Sequence, residues 1–327
     1  MDSNILLEKY KALNSSFKEK LVFHLGYEAG FFSEYNNMIL AMLYCLEHKI
    51  QFTLYSADAG FGFEKGWTDY FLPFCEEKEE IKMPFFDNSA RLFHQKYNKR
   101  NHIDFPLFFT EKEKFKIWWY KKWNNVDFLT QDLWLKFHDR NMENKHYSFP
   151  QLGIEGDILD ICRHLIAITW KYNSTTEKET VQIKKTIEIP AEYTGFHIRK
   201  GDKDKESNVY STADYINKAR SLKANLDNIF VLTDDYSVIK ELKTIAPGSN
   251  IYTFCGEEET GYVHSAFFGQ GKKHIKDSHL RLFASIDILS QSQLFIGTFS
   301  SNPGMYLGMR MKEGTNFGLD FENWLIW

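Results

Sequence analysis

The sequence predicts an α/β protein of two domains, the second built on a parallel sheet. Three observations predict it. At 327 residues the chain has room for two domains, each with its own core. From Tyr193 to Met311, short β-prone runs alternate with helical stretches across short links, as in a Rossmann-like domain. Residues 20–55 carry one further strand–loop–helix–strand unit. The expected division is 1–190, an N-terminal α/β domain with helical insertions, and 191–327, the Rossmann-like domain.

Residues 4–20 have a Lys/Glu-rich polar face and read as a helix. Lys20 to Leu25 is an apolar run of strand length. Gly26 to Ser33 is a turn-prone link. Glu34 to Glu47 then places Ile39, Leu40, Met42, Leu43 and Leu46 at helical spacing, and Gln51 to Tyr55 is the second strand. The link at Gly30, Phe32 and Ser33 can present backbone N–H groups to a phosphate, or can simply join strand to helix. Gly66 to Phe74 is aromatic and suited to pack over a cleft. Lys112 to Trp123 is a basic, aromatic helix. The spacing of Phe115, Trp118 and Trp119 points them at a core, while the composition also suits peripheral contact with an anionic membrane surface. Glu155 to Tyr172 is an amphipathic helix, and the polar stretch Asn173 to Lys185 is expected to connect the domains.

Tyr193 to Ile198 is a strand. Ser211 or Thr212 can cap a helix running to about Ala224. Asn228 to Thr233 is a strand ending at Asp234 and Asp235, which open a helix from Tyr236 to Ile245. Asn250 to Phe254 is a strand. Ser278 to Ser292 is a helix, capped by Asp277 or Ser278. Leu294 to Gly297 is a strand, and Thr298 to Pro303 leads into a helix ending at Met311.

Composition excludes several classes. A net charge of −4 does not suit a nucleic-acid binder. No run of about 18 apolar residues occurs, so no membrane-spanning helix is expected. The N-terminus carries an acid and no long apolar core, unlike a signal peptide. Cys45, Cys75, Cys162 and Cys255 are far apart and lack metal-ligand spacing, so they read as thiols in a reducing compartment. The expected location is the cytoplasm.

Three segments end strands with charge or hydroxyls: His197 to Lys203, Thr233 to Asp235, and Thr298 to Ser301. In a parallel sheet such ends lie along one edge. Together they offer a cation at Arg199, hydroxyls at Ser300 and Ser301, and fresh helix N-termini, which is the chemistry of a diphosphate site. Neither a dinucleotide-binding glycine fingerprint nor a P-loop is present. Asp234 and Asp235 read either as site carboxylates or as helix-opening acids. Asp202 and Asp204 are spaced like the metal-binding acids of some transferases, but they lie inside the arginine motif.

The run His197-Ile-Arg-Lys-Gly-Asp-Lys203, then Thr233-Asp-Asp235, then Leu289-Ser-Gln291 through Thr298-Phe-Ser-Ser301, resembles the α1,6-fucosyltransferases in order and spacing. That family includes the core fucosyltransferases of N-glycans and the nodulation-factor fucosyltransferase. The resemblance covers roughly residues 193–311 and implies a GT-B fold: two Rossmann-like domains with a cleft between them. It implies inverting transfer from GDP-fucose to a glycan or oligosaccharide hydroxyl, with no metal or other cofactor.

Carried over, Arg199 holds the β-phosphate, with His197 and Ser301 beside it. Gly30 to Ser33 approach the diphosphate, while Lys203 and Glu206 serve the acceptor. Lys200, Asp202 and Tyr215 support the site. The family's glutamate and tyrosine both lie one residue further from the histidine, so one deletion accounts for both and selects Glu206 over Asp204. Two positions depart from the family. Its second arginine is Lys200 here, and its guanine-recognising acid aligns with Ser285, with Asp287 two residues on. A GT-B transferase using another nucleotide sugar, or a non-catalytic glycan- or nucleotide-binding protein, stays open.

Overall fold

The computed structural model describes residues 2–26, 30–78, 111–201, 210–262, 267 and 269–326. The chain divides into two compact units, Met1–Lys171 and Tyr172–Trp327.

The first unit begins with α1 (Ser3–Ser15), β1 (Glu19–His24), α2 (Phe31–His48) and β2 (Ile50–Tyr55). The strands pair in parallel, as the strand–helix–strand pattern requires. α3 (Glu111–Asn124), β3 (Phe128–Leu129) and α4 (Thr130–Phe137) follow, and β3 completes a sheet of order β2-β1-β3. The hairpin β4 (Tyr147–Phe149) and β5 (Ile154–Gly156) leads into α5 (Ile158–Thr169). β2 lies at an edge of its sheet, where buried backbone groups need partners. Asn14 supplies them at Phe52, where its amide donates to the carbonyl at 2.9 Å and its oxygen accepts the N–H at 2.7 Å, and the Glu76 carbonyl and Lys78 N–H supply them at Leu54.

Three expectations for this unit are corrected. The helix after β1 starts at Phe31 rather than Glu34, with Gly30 as its N-cap. Phe31 and Phe32 are buried, and Phe32 stacks on Trp170 at 5.9 Å, so apolar burial draws the link into the first turn. Gly66 to Phe74 does not stand apart as a cover. Trp67, Tyr70, Phe71 and Phe74 are buried in the unit's own core, and Trp67 stacks on Phe71 at 4.3 Å. Phe115, Trp118 and Trp119 do not face a core. Ile117 and Tyr120 take the inward side of α3, packed against Val22, Tyr55, Val126 and Leu129.

The second unit holds α6 (Ser174–Lys184), β6 (Thr194–Ile198), α7 (Thr212–Ser221), β7 (Asn228–Thr233) and α8 (Ser237–Ile245). It continues with β8 (Asn250–Tyr252), α9 (Lys272–Gln291), β9 (Leu294–Gly297), α10 (Asn302–Arg310) and β10 (Asn316–Gly318). All five strands are parallel, in the order β10-β9-β6-β7-β8. This is a Rossmann-type sheet in which strand order reverses between β6 and β9. Phe196, Ile198, Ile229, Val231 and Ile296 form its core with apolar residues of α7 and α8.

The stretch read as a domain connection is α6. Asn173 caps it by accepting the Thr176 N–H at 2.9 Å, and charge joins it to α9 through Lys276 and Glu179, 3.1 Å apart. α6 therefore falls within the second compact unit, which begins at Tyr172. α9 starts before Ser278, with Gly271 at its N-terminus in a φ of 86°.

No helix among the described residues is long and apolar enough to cross a membrane. The four cysteines are free; Cys45 and Cys162 are buried.

His279 sits inside this unit between Phe267 and Phe283, its Nδ1 2.7 Å from the Ile275 carbonyl. Burial pulls its pKa from an ordinary 6.5 down to about 4. The unfolded chain thus binds the proton first, so stability is full above pH 6.5 and is lost as pH falls toward 4. The loss should reach about 3 kcal/mol. Melting temperature measured across that range should fall less steeply in His279→Gln than in the parent.

Candidate functional site

The candidate site lies at the carboxyl ends of β6, β7 and β9, beside the reversal of strand order, the place where sheets of this kind bind ligands. β6 is buried along its whole length and delivers Arg199, Lys200 and Gly201 directly beyond its end. Within the strand, His197 is buried and turns toward β9, its Nδ1 3.3 Å from the Ser301 hydroxyl. That contact spans the reversal point. Ser301 is the N-cap of α10: its hydroxyl donates to the Thr298 carbonyl at 2.7 Å and accepts the Gly304 N–H at 3.3 Å.

Arg199 is the first residue beyond β6. Its Nε lies 3.9 Å from a carboxylate oxygen of Asp234, and its guanidinium lies over the Tyr262 ring, 5.3 Å from the centroid. Its side chain keeps 24% of its surface exposed, so the group is positioned yet accessible.

Asp234 organises the loops. One of its oxygens accepts the Lys200 N–H at 2.9 Å, the other the Tyr262 N–H at 3.0 Å, and its carbonyl accepts the Gly261 N–H at 2.8 Å. Glycine is required at 201, because a Cβ there would come within 2.5 Å of the Tyr262 carbonyl and 2.7 Å of the Asp234 carboxylate.

The two neighbouring acids thus part company. Asp234 faces back to β6, while Asp235 accepts the Ser237 N–H at 2.8 Å and opens α8. The Thr298–Ser301 loop is held by Asp320, which the sequence reading does not single out. Its carboxylate accepts the Phe299 and Ser300 N–H groups at 2.8 and 2.7 Å. Only its place past the last strand, far from the motifs, distinguishes it in the sequence.

Other expected site residues go elsewhere. Tyr215 is buried in the core, its ring 5.9 Å from that of Phe196. Lys200 reaches Glu241 at 3.8 Å. Ser285 is buried, and its hydroxyl donates to the Arg281 carbonyl at 2.8 Å within α9.

Asp287 is engaged on both oxygens. Arg310 reaches one at 3.1 Å; the Tyr172 hydroxyl at 3.1 Å and Lys184 at 3.4 Å reach the other. Burial, and then the Asp287 charge, push the Tyr172 phenol above its usual range, so it stays a donor. The carboxylate is therefore part of an internal ion-pair cluster, not an open contact for a base.

Gly30, Phe32 and Ser33 belong to the first unit. The Gly30 carbonyl accepts the Ser33 N–H at 3.0 Å, and a Cβ added at Gly30 would meet nothing within 4 Å. Asp202, Lys203, Asp204 and Glu206 lie outside the described residues. No group of three potential metal ligands occurs among the described residues.

No family model matches the chain, and no curated protein does. Solved structures do. The chain is similar to a mutant of FUT1 from Arabidopsis thaliana in complex with GDP, at 14% identity and a TM-score of 0.50, over 95% of this chain and 72% of that one. It is similar to the fucosyltransferase NodZ from Bradyrhizobium at 13% identity and a TM-score of 0.50, over 94% of this chain and 96% of that one. The fold is thus the α/β GT-B fold of these fucosyltransferases.

Proposed function

We propose that this protein is an inverting glycosyltransferase that moves fucose from GDP-fucose to a glycan or oligosaccharide hydroxyl without a metal ion. The observation that carries this reading is the placement of Arg199. It stands beyond the central strand, across the strand-order reversal from the Ser301 cap of α10, in a fold shared with fucosyltransferases. The leaving group is a nucleoside diphosphate whose negative charge grows as the glycosidic bond breaks. A preorganised guanidinium and helix N-terminal dipoles stabilise that charge. The second unit takes the donor on this reading, and the first takes the acceptor.

An inverting displacement also needs a base for the acceptor hydroxyl's proton. Glu206 takes that role by its resemblance to the family glutamate, and Lys203 serves the acceptor with it. Glu206→Gln keeps the shape and removes the base. It should leave the calorimetric affinity for GDP unchanged and slow transfer by about 10²-fold. Transfer at the parental rate would move the role to Asp204.

One observation favours a second reading of the donor. Ser285 and Asp287 both bond to groups inside the protein, which weighs against a guanine contact from either. A transferase using another nucleotide sugar fits that equally well. Thermal shift against GDP, UDP, ADP and CMP separates the two, since a ligand at a hundred times its Kd adds about 2.7 kcal/mol of stability. GDP should stabilise; stabilisation by UDP or ADP alone would overturn the fucosyl donor and leave a transferase. Transfer should persist in excess EDTA, because Arg199 supplies the charge. Loss of transfer restored by Mn²⁺ would shift weight to Asp202 and Asp204.

A further inference from the structure

α3 turns its aromatic side chains to the outside. Phe115 is 62%, Trp118 51%, Trp119 53% and Trp123 78% exposed. Residues three and four apart share one side of a helix, and these rings form a continuous row. Centroids are 5.9 Å apart for Phe115 and Trp118, 6.2 Å for Trp118 and Trp119, and 6.1 Å for Trp119 and Trp123. The helix is fixed in this orientation from its other side. Ile117 and Tyr120 pack on the cluster around Val22 and Leu129, and Lys121 Nζ lies 2.7 Å from the Asp132 carboxylate. Turning the rings inward would break both. Around the row stand exposed Lys112, Lys114, Lys116 and Lys122.

We propose that α3 is an interfacial helix that docks this protein on an anionic lipid surface. Tryptophan favours the boundary between headgroups and hydrocarbon, where its ring is buried and its N–H stays wet. Lysines beside it lay their stems on the apolar layer and reach the headgroup phosphates. At 14 residues the helix is about 21 Å long, too short for a hydrocarbon core of about 30 Å, so it lies in the plane of the surface. Charge decides between partners. A neutral sugar would stack on the rings without any cation, whereas four lysines beside the row match an anionic surface. The chain as a whole carries −4, so this face is a local exception that would also orient the protein on the bilayer.

The test is flotation of the full chain with vesicles of phosphatidylcholine, with and without phosphatidylglycerol. The protein should float with the anionic vesicles, less so at high salt, and brominated lipid should quench its tryptophan fluorescence. Lys112→Gln with Lys122→Gln should lower partitioning to anionic vesicles about 25-fold, each lysine near the surface contributing roughly fivefold. Trp118→Ala with Trp119→Ala should remove both binding and quenching. All four side chains are exposed, so melting temperatures should stay at the parental value. If the tryptophan pair melts early, the lysine pair and the quenching of the parent protein decide.

The proposal is overturned if the parent does not float with anionic vesicles, or if both variant pairs float as it does. Flotation without quenching also overturns it. So does concentration-dependent self-association that the tryptophan substitutions abolish, which would assign this face to a second copy.

Discussion

Arg199→Ala should slow fucosyl transfer by about 10²–10³-fold, the scale of losing one preorganised donor to a developing anion, and should weaken GDP binding as well. The fold should survive the change. Asp234 would keep its bonds from the Lys200 and Tyr262 N–H groups, which hold the loop independently of the guanidinium. The loss would therefore report charge at the diphosphate, not collapse of the site. Arg199→Lys should recover only part of the rate. A lysine offers a point charge, whereas a guanidinium is a planar fork able to bond two phosphate oxygens, and this one lies over the Tyr262 ring. Calorimetric GDP binding measured beside transfer rate checks both effects. Parental values for Arg199→Ala in both measurements would remove Arg199 from the site. GDP binding by the parent with no transfer to any acceptor and no hydrolysis of GDP-fucose would support a binding module on the same fold.

Asp287→Ala should destabilise the protein by about 3 kcal/mol, the low end of the range for breaking a buried ion pair. It would strand two cations, Arg310 and Lys184, that now point at one carboxylate. The effect sits at the low end because Arg310 keeps 21% and Lys184 31% of their side-chain surface exposed. Arg310 also retains the Tyr306 hydroxyl at 3.1 Å.

Adding Arg310→Met to Asp287→Ala should recover part of the loss, since it removes one of the two stranded charges. GDP affinity of the folded single variant should stay within about threefold of the parent, a change of under 1 kcal/mol. Equilibrium denaturation and calorimetry measure the two quantities separately. Lost GDP binding with unchanged stability would restore Asp287 as a contact for the nucleotide.

Much of the second unit was legible because its signals are local. Strands of a parallel sheet are buried on both faces and read as unbroken apolar runs; Ile229 to Leu232 within β7 and Leu294–Gly297 are examples. Helix starts were legible where a hydroxyl caps them. Ser211 and Asp214 cap α7 reciprocally, and Ser301 caps α10. The sequence alone therefore determined the parallel architecture, and it brought Arg199, Thr233 and Ser301 to one edge of a sheet.

What only the tertiary structure decided concerns polar and aromatic side chains whose partners are distant in the chain. α6 has no apolar face to announce it; it is held by charges on α9, including a Glu179–Lys276 pair 97 residues apart in sequence. The periodicity of α3 fits either of two faces, and the choice fell to Ile117 and Tyr120 because β1, β2 and β3 offered them a cluster. Asp234 and Asp235 look alike as letters, yet the approach of the Gly201 and Gly261 backbones turned one to the site and left the other to open a helix. Asp287 looked open until Tyr172, Lys184 and Arg310 closed on it. The physical reason is common to all four. Apolar periodicity is written residue by residue, but the free energy of a buried charge or an exposed ring depends on which groups packing brings beside it.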